Sequence, residues 1–255
     1  MNSLAGTRKI IKRKKVKECR YFYVPDAPSQ SELPMEESMH ALRVLRLKSG
    51  DEMFLMDGTG VFYRAEVTIA ATKHCMYEIK EVLPQEKNWE GNIHVAIAPT
   101  KDIGRIEWFA EKATEIGIDE YSFLCCQFSE RRVVKTPRIE KIVVSAVKQS
   151  RKPWMPVINE MTAFEKFVKQ PHEGGKYICH CYNEIARGDF FESVSRETDN
   201  KNITVLVGPE GDFSIDEVRM AMEYGYKPVS LGTSRLRTET AGLYAAMLSH
   251  LTRRK

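Results

Sequence analysis

Two short apolar runs near the end of the chain each stop at a glycine. Ile203–Val207 leads into Gly208, and residues 228–231 lead into Gly232, with a helical pattern after each glycine. In an open α/β sheet, ligands bind where such strands end, because the loops leave the carboxyl edge and the next helix presents free backbone N–H groups. The two junctions therefore predict one pocket built from adjacent loops.

Strand and helix patterns alternate from residue 93 to the end of the chain. Apolar runs predict strands at 93–98, 121–126 and 176–182, and 3.6-residue periodicity predicts helices at 104–117, 137–147 and 240–250. Ser214 and Glu217 have the spacing of a capping box that begins a further helix. We interpret residues 188–202 as a polar connection. This alternation predicts an α/β domain with a largely parallel sheet.

The preceding part of the chain has a different pattern. Short β runs lie at residues 21–24, 52–56, 61–67 and 76–82, and a helical pattern lies at 36–45. The turn Asp57-Gly-Thr-Gly60 predicts a hairpin between the second and third runs. A polar stretch rich in turn formers follows at 84–92. We therefore predict a small, mostly β domain, built as a barrel, at 20–87 and an α/β domain at 88–255.

Charge and hydropathy limit the classes of function. The 255 residues include 39 Lys and Arg against 35 Asp and Glu, a formal charge of +4, which permits a nucleic-acid partner without requiring one. Residues 1–19 form a basic extension that we expect to be disordered, and it lacks the apolar segment of a secretory signal. No run is long enough to cross a bilayer, so we expect a soluble, cytoplasmic protein with no membrane partner.

The six cysteines do not have the spacing of a zinc site. No pair shows the usual two-residue gap, and Cys125, Cys126, Cys179 and Cys181 lie in strand-like runs. We therefore expect reduced thiols, no disulfide and no metal. His180 alternates with two of these cysteines, and the pattern leaves open whether it faces the core or a site.

The Gly208 loop lacks the residues of the common nucleotide-binding motifs. It has neither the Lys-Ser/Thr of a P-loop nor G-x-G-x-x-G. Backbone groups and nearby apolar side chains would suit an adenine and a ribose, although each glycine taken alone is more often a turn residue. The segment 235–240 places two cations and a carboxylate beside a strand end. Because such crowding adds little stability, it indicates a functional site.

These residues carry a resemblance to a known family. The motifs are Val207-Gly-Pro-Glu-Gly211, Phe213-Ser214, Leu231-Gly232 and Leu236-Arg-Thr-Glu-Thr-Ala241, with upstream matches at 40–51, 111–117 and 149–151. The sequence resembles the RsmE family, SPOUT-class methyltransferases that modify N3 of a uridine in 16S ribosomal RNA. The resemblance extends from residue 20 to about residue 251.

The resemblance implies a fold, a cofactor and partners. The fold is a PUA-like β-barrel followed by an α/β trefoil-knot domain, the cofactor is S-adenosylmethionine, and the partners are 16S rRNA in the small ribosomal subunit and a second copy of the chain. Carried over residue by residue, the cofactor contacts fall on Leu206, Gly208, Pro209, Glu210, Gly211, Leu231, Gly232, Leu236 and Thr238.

Roles for the charged residues follow from the methyl-transfer chemistry. Uridine N3 is a poor nucleophile until its proton leaves, so a cation beside the base favours the reaction. We expect Arg237 to supply that cation and Glu239 to orient it or anchor the loop, with Glu210 and His180 as candidates for the base. The predicted RNA contacts are Arg43, Arg46, Lys48, Lys148 and Arg151. A charged, solvated helix end explains Arg43, Arg46 and Lys48 about equally well, and Lys148 and Arg151 are also ordinary partners of a helix C-terminus.

Two departures from the family pattern test this interpretation. Asp212 replaces a common second glycine, and Ser234-Arg235 replaces a common Arg-Ile. Asp tolerates positive φ better than most residues, so we expect the loop to keep its shape. The alternatives are a non-catalytic RNA-binding assembly factor and a methyltransferase for another RNA nucleotide.

Overall fold

A four-stranded sheet occupies the N-terminal part of the protein. The computed structural model describes residues 20–197 and 200–255, so the predicted extension at 1–19 lies outside the described residues. The four strands are β1 (Tyr21–Tyr23), β2 (Glu52–Met56), β3 (Val61–Ala70) and β4 (Cys75–Pro84). They lie in the order β1-β2-β3-β4, with β1 parallel to β2 and the other pairs antiparallel. The predicted hairpin and the mostly β character of this part are confirmed.

The helical pattern predicted at 36–45 forms two different turns. The first turn is α1 (Met35–Met39), after a short 3₁₀ turn at Ala27–Ser29. The second, His40–Val44, has wider π-helical turns, and Leu45 donates its N–H to the carbonyl of His40. A wider turn shifts the side chains that follow it out of α-helical register.

A parallel sheet fills the C-terminal part. Its strands are β5 (Ile93–Ile97), β6 (Glu120–Cys125), β7 (Val157–Ile158), β8 (Thr162–Ala163), β9 (Gly175–Cys179), β10 (Gly188–Asp189), β11 (Ile203–Val207) and β12 (Lys227–Ser230). The order is β10-β12-β9-β11-β5-β6-β7, and β8 also pairs with β6. Each of these pairings is parallel, as the alternating pattern predicts.

Helices connect and cover these strands. They are α2 (Ile103–Ile116), α3 (Thr136–Ser150), α4 (Phe164–Val168), α5 (Phe190–Ser195), α6 (Ile215–Glu223) and α7 (Thr238–Arg253). The predicted capping box is present: Ser214 accepts the N–H of Glu217, and Glu217 accepts the N–H of Ser214. No helix within the described ranges is long and apolar enough to span a membrane.

Two layers of buried side chains hold the sheet. The central strands β5 and β11 are buried along their whole length, as expected for a sheet covered on both faces. One cluster lies under α2 and α7 and includes Phe109 and Tyr121, and the other lies under α4 and α6 and includes Phe164 and Phe213. Because helices cover both faces of the sheet, a ligand would bind at the ends of the strands.

The prediction of a polar connection at 188–202 is wrong. This stretch contains β10 and the helix α5, which Asp189 caps by accepting the N–H of Glu192. Phe190 and Val194 are buried on one face of α5. The helix has less than two full turns of periodicity, which is too short for the sequence pattern to show.

The turn between β2 and β3 is one of the places where the N-terminal sheet is attached to the C-terminal part. The turn between β2 and β3 pairs with the segment after α3: the N–H of Gly60 donates to Pro153, and the N–H of Met155 donates to Gly58. A Cβ on Gly60 would lie 2.7 Å from the indole nitrogen of Trp154, so this close approach requires glycine. The two turn glycines therefore serve docking as well as the hairpin.

Candidate active site

A cavity of about 360 Å³ opens where three parallel strands end. Its walls come from the ends of β9, β11 and β12 and from the start of α7. The lining residues are Arg105, Cys179, His180, Cys181, Arg187, Val207, Gly208, Pro209, Glu210, Asp212, Val229, Ser230, Leu231, Gly232, Ser234, Arg235, Leu236, Arg237, Thr238 and Ala241. The Gly208 and Gly232 loops thus share one pocket, as the two strand ends predict.

Most of the predicted cofactor contacts lie on the cavity wall. These are Gly208, Pro209, Glu210, Leu231, Gly232, Leu236 and Thr238. Leu206 is fully buried and packs in the core on the side of α4 and α6. Gly211 faces Phe128, because a Cβ at this glycine would lie 3.1 Å from the Phe128 Cβ. The structure therefore places Leu206 and Gly211 behind the wall, where they shape the loop.

Asp212 fixes the Gly208 loop in place. Its φ of 66° is in the left-handed region, which the glycine common at this position adopts without strain. The carboxylate accepts the N–H of Phe213 through Oδ1 at 2.8 Å and the N–H of Cys181 through Oδ2 at 2.8 Å. The expectation that Asp is compatible with this loop is confirmed, and the side chain also ties the loop to the end of β9.

Glu210 anchors the other side of the same loop. Its Oε1 accepts the backbone N–H of Lys101, in the loop after β5, at 2.9 Å. Asp212 donates its own N–H to the carbonyl of Pro209, which closes a tight turn. The loop is thus held from two neighbouring strands, which favours a preformed pocket.

The second wall turns at Gly232. Its φ of 113° is unfavourable for other residues, while a Cβ there would meet nothing within 4 Å. The Ser230 hydroxyl donates to the Gly232 carbonyl and accepts its N–H. Glycine is required at this position for its backbone conformation and not for space.

Arg237 and Glu239 lie at the start of α7, on different sides of it. Arg237 is the N-cap residue, and its exposed side chain lines the cavity without capping the helix. Glu239 is buried and does not line the cavity; its Oε1 lies 3.7 Å from Nη1 of Arg105, which does. The structure therefore brings Glu239 to Arg105, a residue that the motifs did not indicate.

His180 lines the cavity as a neutral, buried imidazole. It is buried, and its Nδ1 accepts the N–H of Tyr182 at 3.2 Å. Burial, reinforced by the Arg187 guanidinium, lowers the pKa of His180. The proton of the neutral ring must then be on Nε2, which has no hydrogen-bond partner among the described residues. Because the Nδ1 lone pair is already used and Nε2 carries the proton, His180 is unsuited to act as the base.

The end of β9 supplies cavity residues that the sequence did not assign to the site. Cys179 and Cys181 line the cavity beside Arg187, which donates to the His180 carbonyl at 2.6 Å. Burial raises the pKa of both thiols, so they remain protonated at neutral pH. The alternation of Cys, His and Cys was the one sequence signal for these residues. It could not show that they lie at the end of β9 where the cavity opens.

The predicted RNA contacts occupy two kinds of position. Arg43, Arg46 and Lys48 are exposed on the N-terminal part. Lys148 is instead ion-paired with Glu37 at 2.5 Å, and Arg151 lies 5.3 Å from the centre of the Tyr21 ring. In this structure Lys148 and Arg151 join α3 to the N-terminal part. Within residues 20–197 and 200–255, no group of three or more His, Cys, Asp or Glu side chains is arranged to bind a metal.

Family models match both parts of the chain. A model described as an RNA methyltransferase domain matches residues 87–250, and one described as an RNA methyltransferase PUA domain matches residues 33–75. Among curated proteins, the ribosomal RNA small subunit methyltransferase E of Aquifex aeolicus is 30% identical over 230 residues, covering 86% of this chain and 94% of that protein. The protein of the same name from Rickettsia conorii is 27% identical over 219 residues, covering 85% and 88%.

Solved structures agree with these matches. A probable rRNA methyltransferase from Porphyromonas gingivalis superimposes with a TM-score of 0.84 at 40% identity, covering 92% of this chain and 98% of that one. A ribosomal RNA small subunit methyltransferase E from Neisseria gonorrhoeae, bound to S-adenosyl methionine, has a TM-score of 0.76 at 27% identity and covers 90% and 95%. The predicted fold class, a PUA-type domain before a SPOUT methyltransferase domain, is confirmed, while the trefoil knot stays a prediction. The chain belongs to the RNA methyltransferase family that includes ribosomal RNA small subunit methyltransferase E.

Proposed function

We propose that this protein transfers the methyl group of S-adenosylmethionine to N3 of a uridine in 16S rRNA of the small ribosomal subunit. The observation that carries the proposal is the cavity at the ends of β9, β11 and β12, with Arg237 on its wall. It lies at the loops where the family motifs occur, and relatives with this fold are named as small-subunit rRNA methyltransferases.

The residues of the cavity fit this cofactor. Val207, Val229, Leu231 and Leu236 offer apolar surface for a flat adenine, and the glycine-containing loops allow main-chain groups to approach the ligand. Glu210 and Asp212 place carboxylates on the wall, which suit a cofactor with a sulfonium and an ammonium group. The arginines on the wall suit its carboxylate and the RNA.

Positioning and charge supply the catalysis. The cofactor, when bound, supplies an electrophilic methyl group on a sulfonium, and transfer requires N3, carbon and sulfur to lie in line. Arg237 beside the base favours loss of the N3 proton by stabilising the negative charge that develops on N3 and the flanking carbonyl oxygens. Glu239 acts at a distance by holding Arg105.

Glu210 is the better candidate to accept the N3 proton. Of the two carboxylates on the cavity wall, Asp212 uses both oxygens to accept backbone N–H groups. Glu210 uses Oε1 for the N–H of Lys101. His180 is excluded from this role by its tautomer, since its lone pair on Nδ1 already accepts the N–H of Tyr182.

The proposal includes a homodimer. Tyr244, Met247 and Leu251 are spaced by three and four residues on α7, and each is at least 41% exposed. Large apolar side chains in such a row are unusual on a free helix face, and they suit the same face of a second copy. Since α7 begins at Arg237, this interface would lie near the cavity. Acting on the small subunit would place the protein in the cytoplasm.

Mass spectrometry of nucleosides tests the reaction directly. Purified protein and S-adenosylmethionine are incubated with small subunits whose 16S rRNA lacks the modification, and in parallel with the naked RNA. We expect 3-methyluridine to appear only when both protein and cofactor are present. Comparison of the two samples shows whether the small subunit or the naked RNA is the substrate. A different methylated nucleoside would refute the uridine assignment but not the methyltransferase. No methylation, and no heat of S-adenosylmethionine binding in calorimetry, would favour a non-catalytic assembly factor.

A further inference from the structure

An exposed aromatic side chain lies directly behind the cofactor loop. Phe128, in the turn between β6 and α3, is 46% exposed. Its Cβ is the nearest atom to where a Cβ on Gly211 would lie, at 3.1 Å. Gly208, Pro209, Glu210 and Asp212 from the same loop line the cavity. The ring of Phe128 is therefore on the outer side of the wall whose inner side forms the pocket.

The turn that carries Phe128 is held firmly on both sides. The N–H of Gln127 donates to Oε1 of Glu217 at 2.8 Å, while Oε2 of Glu217 accepts the N–H of Ser214. After Phe128, the Ser129 hydroxyl accepts the N–H of Cys126 at 2.9 Å. One carboxylate thus joins the turn to the cofactor loop, so the exposure of Phe128 is a fixed feature of the site.

The loop after Phe128 carries an excess of positive charge. Arg131 donates Nε to the Thr100 carbonyl and Nη2 to the Lys101 carbonyl, which fixes it against the neighbouring loop. Arg132 is exposed, and its hydrogen bond goes to the sulfur of Cys125 at 3.6 Å. Among the described residues, no carboxylate forms an ion pair with Arg132 or with the exposed Lys135. These two cations remain available for an anionic partner.

An exposed aromatic ring beside unpaired cations is the combination that binds single-stranded nucleic acid. Bases stack on aromatic faces, and Arg and Lys contact the phosphates between them. We propose that Phe128 is a stacking platform for an unpaired base of the RNA near the target uridine, with Arg132 and Lys135 on the adjoining phosphates. This inference rests on the proposed function and adds to it a surface that would hold the flanking RNA while the target base enters the cavity.

A second copy of the chain is the competing occupant of this surface. An exposed Phe also suits a protein interface, and Val133 on the same loop is 69% exposed. Charge favours RNA, because two copies of a surface with excess cations repel each other while a phosphate backbone attracts them. The test must therefore measure RNA affinity and molecular mass on the same variants.

Substitution of Phe128 in the full-length protein provides the test. The probe is a fluorescent fragment of small-subunit RNA that contains the methylated uridine, and its affinity is measured by anisotropy. Phe128→Ala should weaken binding about tenfold or more, and Phe128→Tyr, which keeps the ring, should stay within about twofold of wild type. Arg132→Gln should reduce the slope of log affinity against log salt by about 1. Affinity for S-adenosylmethionine should be unchanged in each variant.

Phe191→Ala is the matched control, because Phe191 is 47% exposed on α5, away from this loop. Wild-type RNA affinity in Phe128→Ala would overturn the inference, as would a fall in molecular mass without a change in RNA affinity. If the wild-type protein neither binds nor methylates the RNA, both the proposed function and the inference fail. If wild type methylates and Phe128→Ala equals it in RNA affinity, the stacking role alone fails.

Discussion

Asp212 accepts the backbone N–H of Cys181 at 2.8 Å and so joins the Gly208 loop to the end of β9. The sequence departs from its family at this residue, yet the departure adds contacts. The carboxylate stands where glycine is common, keeps the positive φ, and gains two hydrogen bonds that glycine cannot make. A substitution that looks like a risk in the sequence is thus part of the pocket's support.

Removal of the Asp212 carboxylate should loosen the cofactor pocket. Asp212→Ala loses both hydrogen bonds and places a Cβ without compensation at positive φ, so affinity for S-adenosylmethionine should fall by roughly tenfold. Asp212→Gly also loses the two side-chain hydrogen bonds, but glycine adopts the positive φ without strain. Its loss of affinity for S-adenosylmethionine should therefore be smaller. Calorimetry measures both. Asp216→Ala, which removes an exposed carboxylate that is ion-paired with Arg219 on the same helix, is the control. Equal affinities for Asp212→Ala and wild type would show that the loop is held by its backbone alone.

Arg237→Ala should slow turnover strongly with little effect on cofactor binding. Removing a charge that acts mainly in the transition state costs about 100-fold in rate in comparable sites. Because Arg237 makes no side-chain cap, α7 should keep its stability. Single-turnover methylation and calorimetry with S-adenosylmethionine separate the two effects, and Arg219→Ala on α6 is the control. Turnover at the wild-type rate in Arg237→Ala would remove this residue from the mechanism.

The free energy of unfolding should decrease as the pH drops under 6.5, because of a histidine far from the cavity. Burial is the main cause that lowers the pKa of His94, from an ordinary value of 6.5 to about 4. Between these values the unfolded chain binds a proton that the native protein excludes, so stability is present above pH 6.5 and is lost as pH falls toward 4. The slope from this group is at most about 1.4 kcal/mol per pH unit.

Urea denaturation between pH 4 and pH 7 measures this dependence. His94→Gln keeps a polar group near the hydroxyl of Ser122, to which the His94 ring is hydrogen-bonded at 2.8 Å, and cannot titrate. We expect a shallower pH dependence in this variant. His40→Gln, at an exposed position, should retain the wild-type dependence. Identical slopes for wild type and His94→Gln would mean that other groups cause the loss.

Gly242→Ala should destabilise the fold although alanine is the better helix former. A Cβ at Gly242 would lie 2.8 Å from Cδ1 of Ile97 and 3.0 Å from Cε2 of Phe109, both fully buried. Overpacking costs about 1–3 kcal/mol, against a gain of about 1 kcal/mol in helix propensity. Denaturant unfolding should show the net loss. Gly104→Ala at the start of α2, where the nearest atom is an Asp102 carboxylate oxygen, should change stability little. A more stable Gly242→Ala would show that α7 can move away from β5.

Met247→Glu should separate the proposed dimer. A charge in the centre of the apolar row on α7 would be buried without a partner at the interface, while it is harmless in a monomer. Light scattering coupled to gel filtration should show half the mass of wild type. Met222→Glu on α6, a position with similar exposure, should not change the mass. A wild-type mass for Met247→Glu would place the interface elsewhere.

The sequence by itself determined the architecture and the place of the cavity between the Gly208 and Gly232 loops. Alternating patterns predict the parallel α/β part, turn residues predict the hairpin, and the spacing of Ser214 and Glu217 predicts the capping box, because all three signals are local. Family motifs placed the pocket at Gly208 and Gly232, since glycine-opened strand ends are tied to one edge of the sheet. Local signals failed at α5, where two buried side chains were too few to show a helical period.

Only the tertiary structure decided which side chains meet at the cavity. Arg105 on α2 lies beside Glu239 on α7, and Asp212, after β11, accepts the N–H of Cys181, after β9. The sequence also could not show that Leu206 and Gly211 lie behind the cavity wall, that Lys148 is ion-paired to Glu37, or that His180 accepts the N–H of Tyr182. Each of these depends on residues distant in the chain, whose separation is fixed by strand order and packing and not by local propensity.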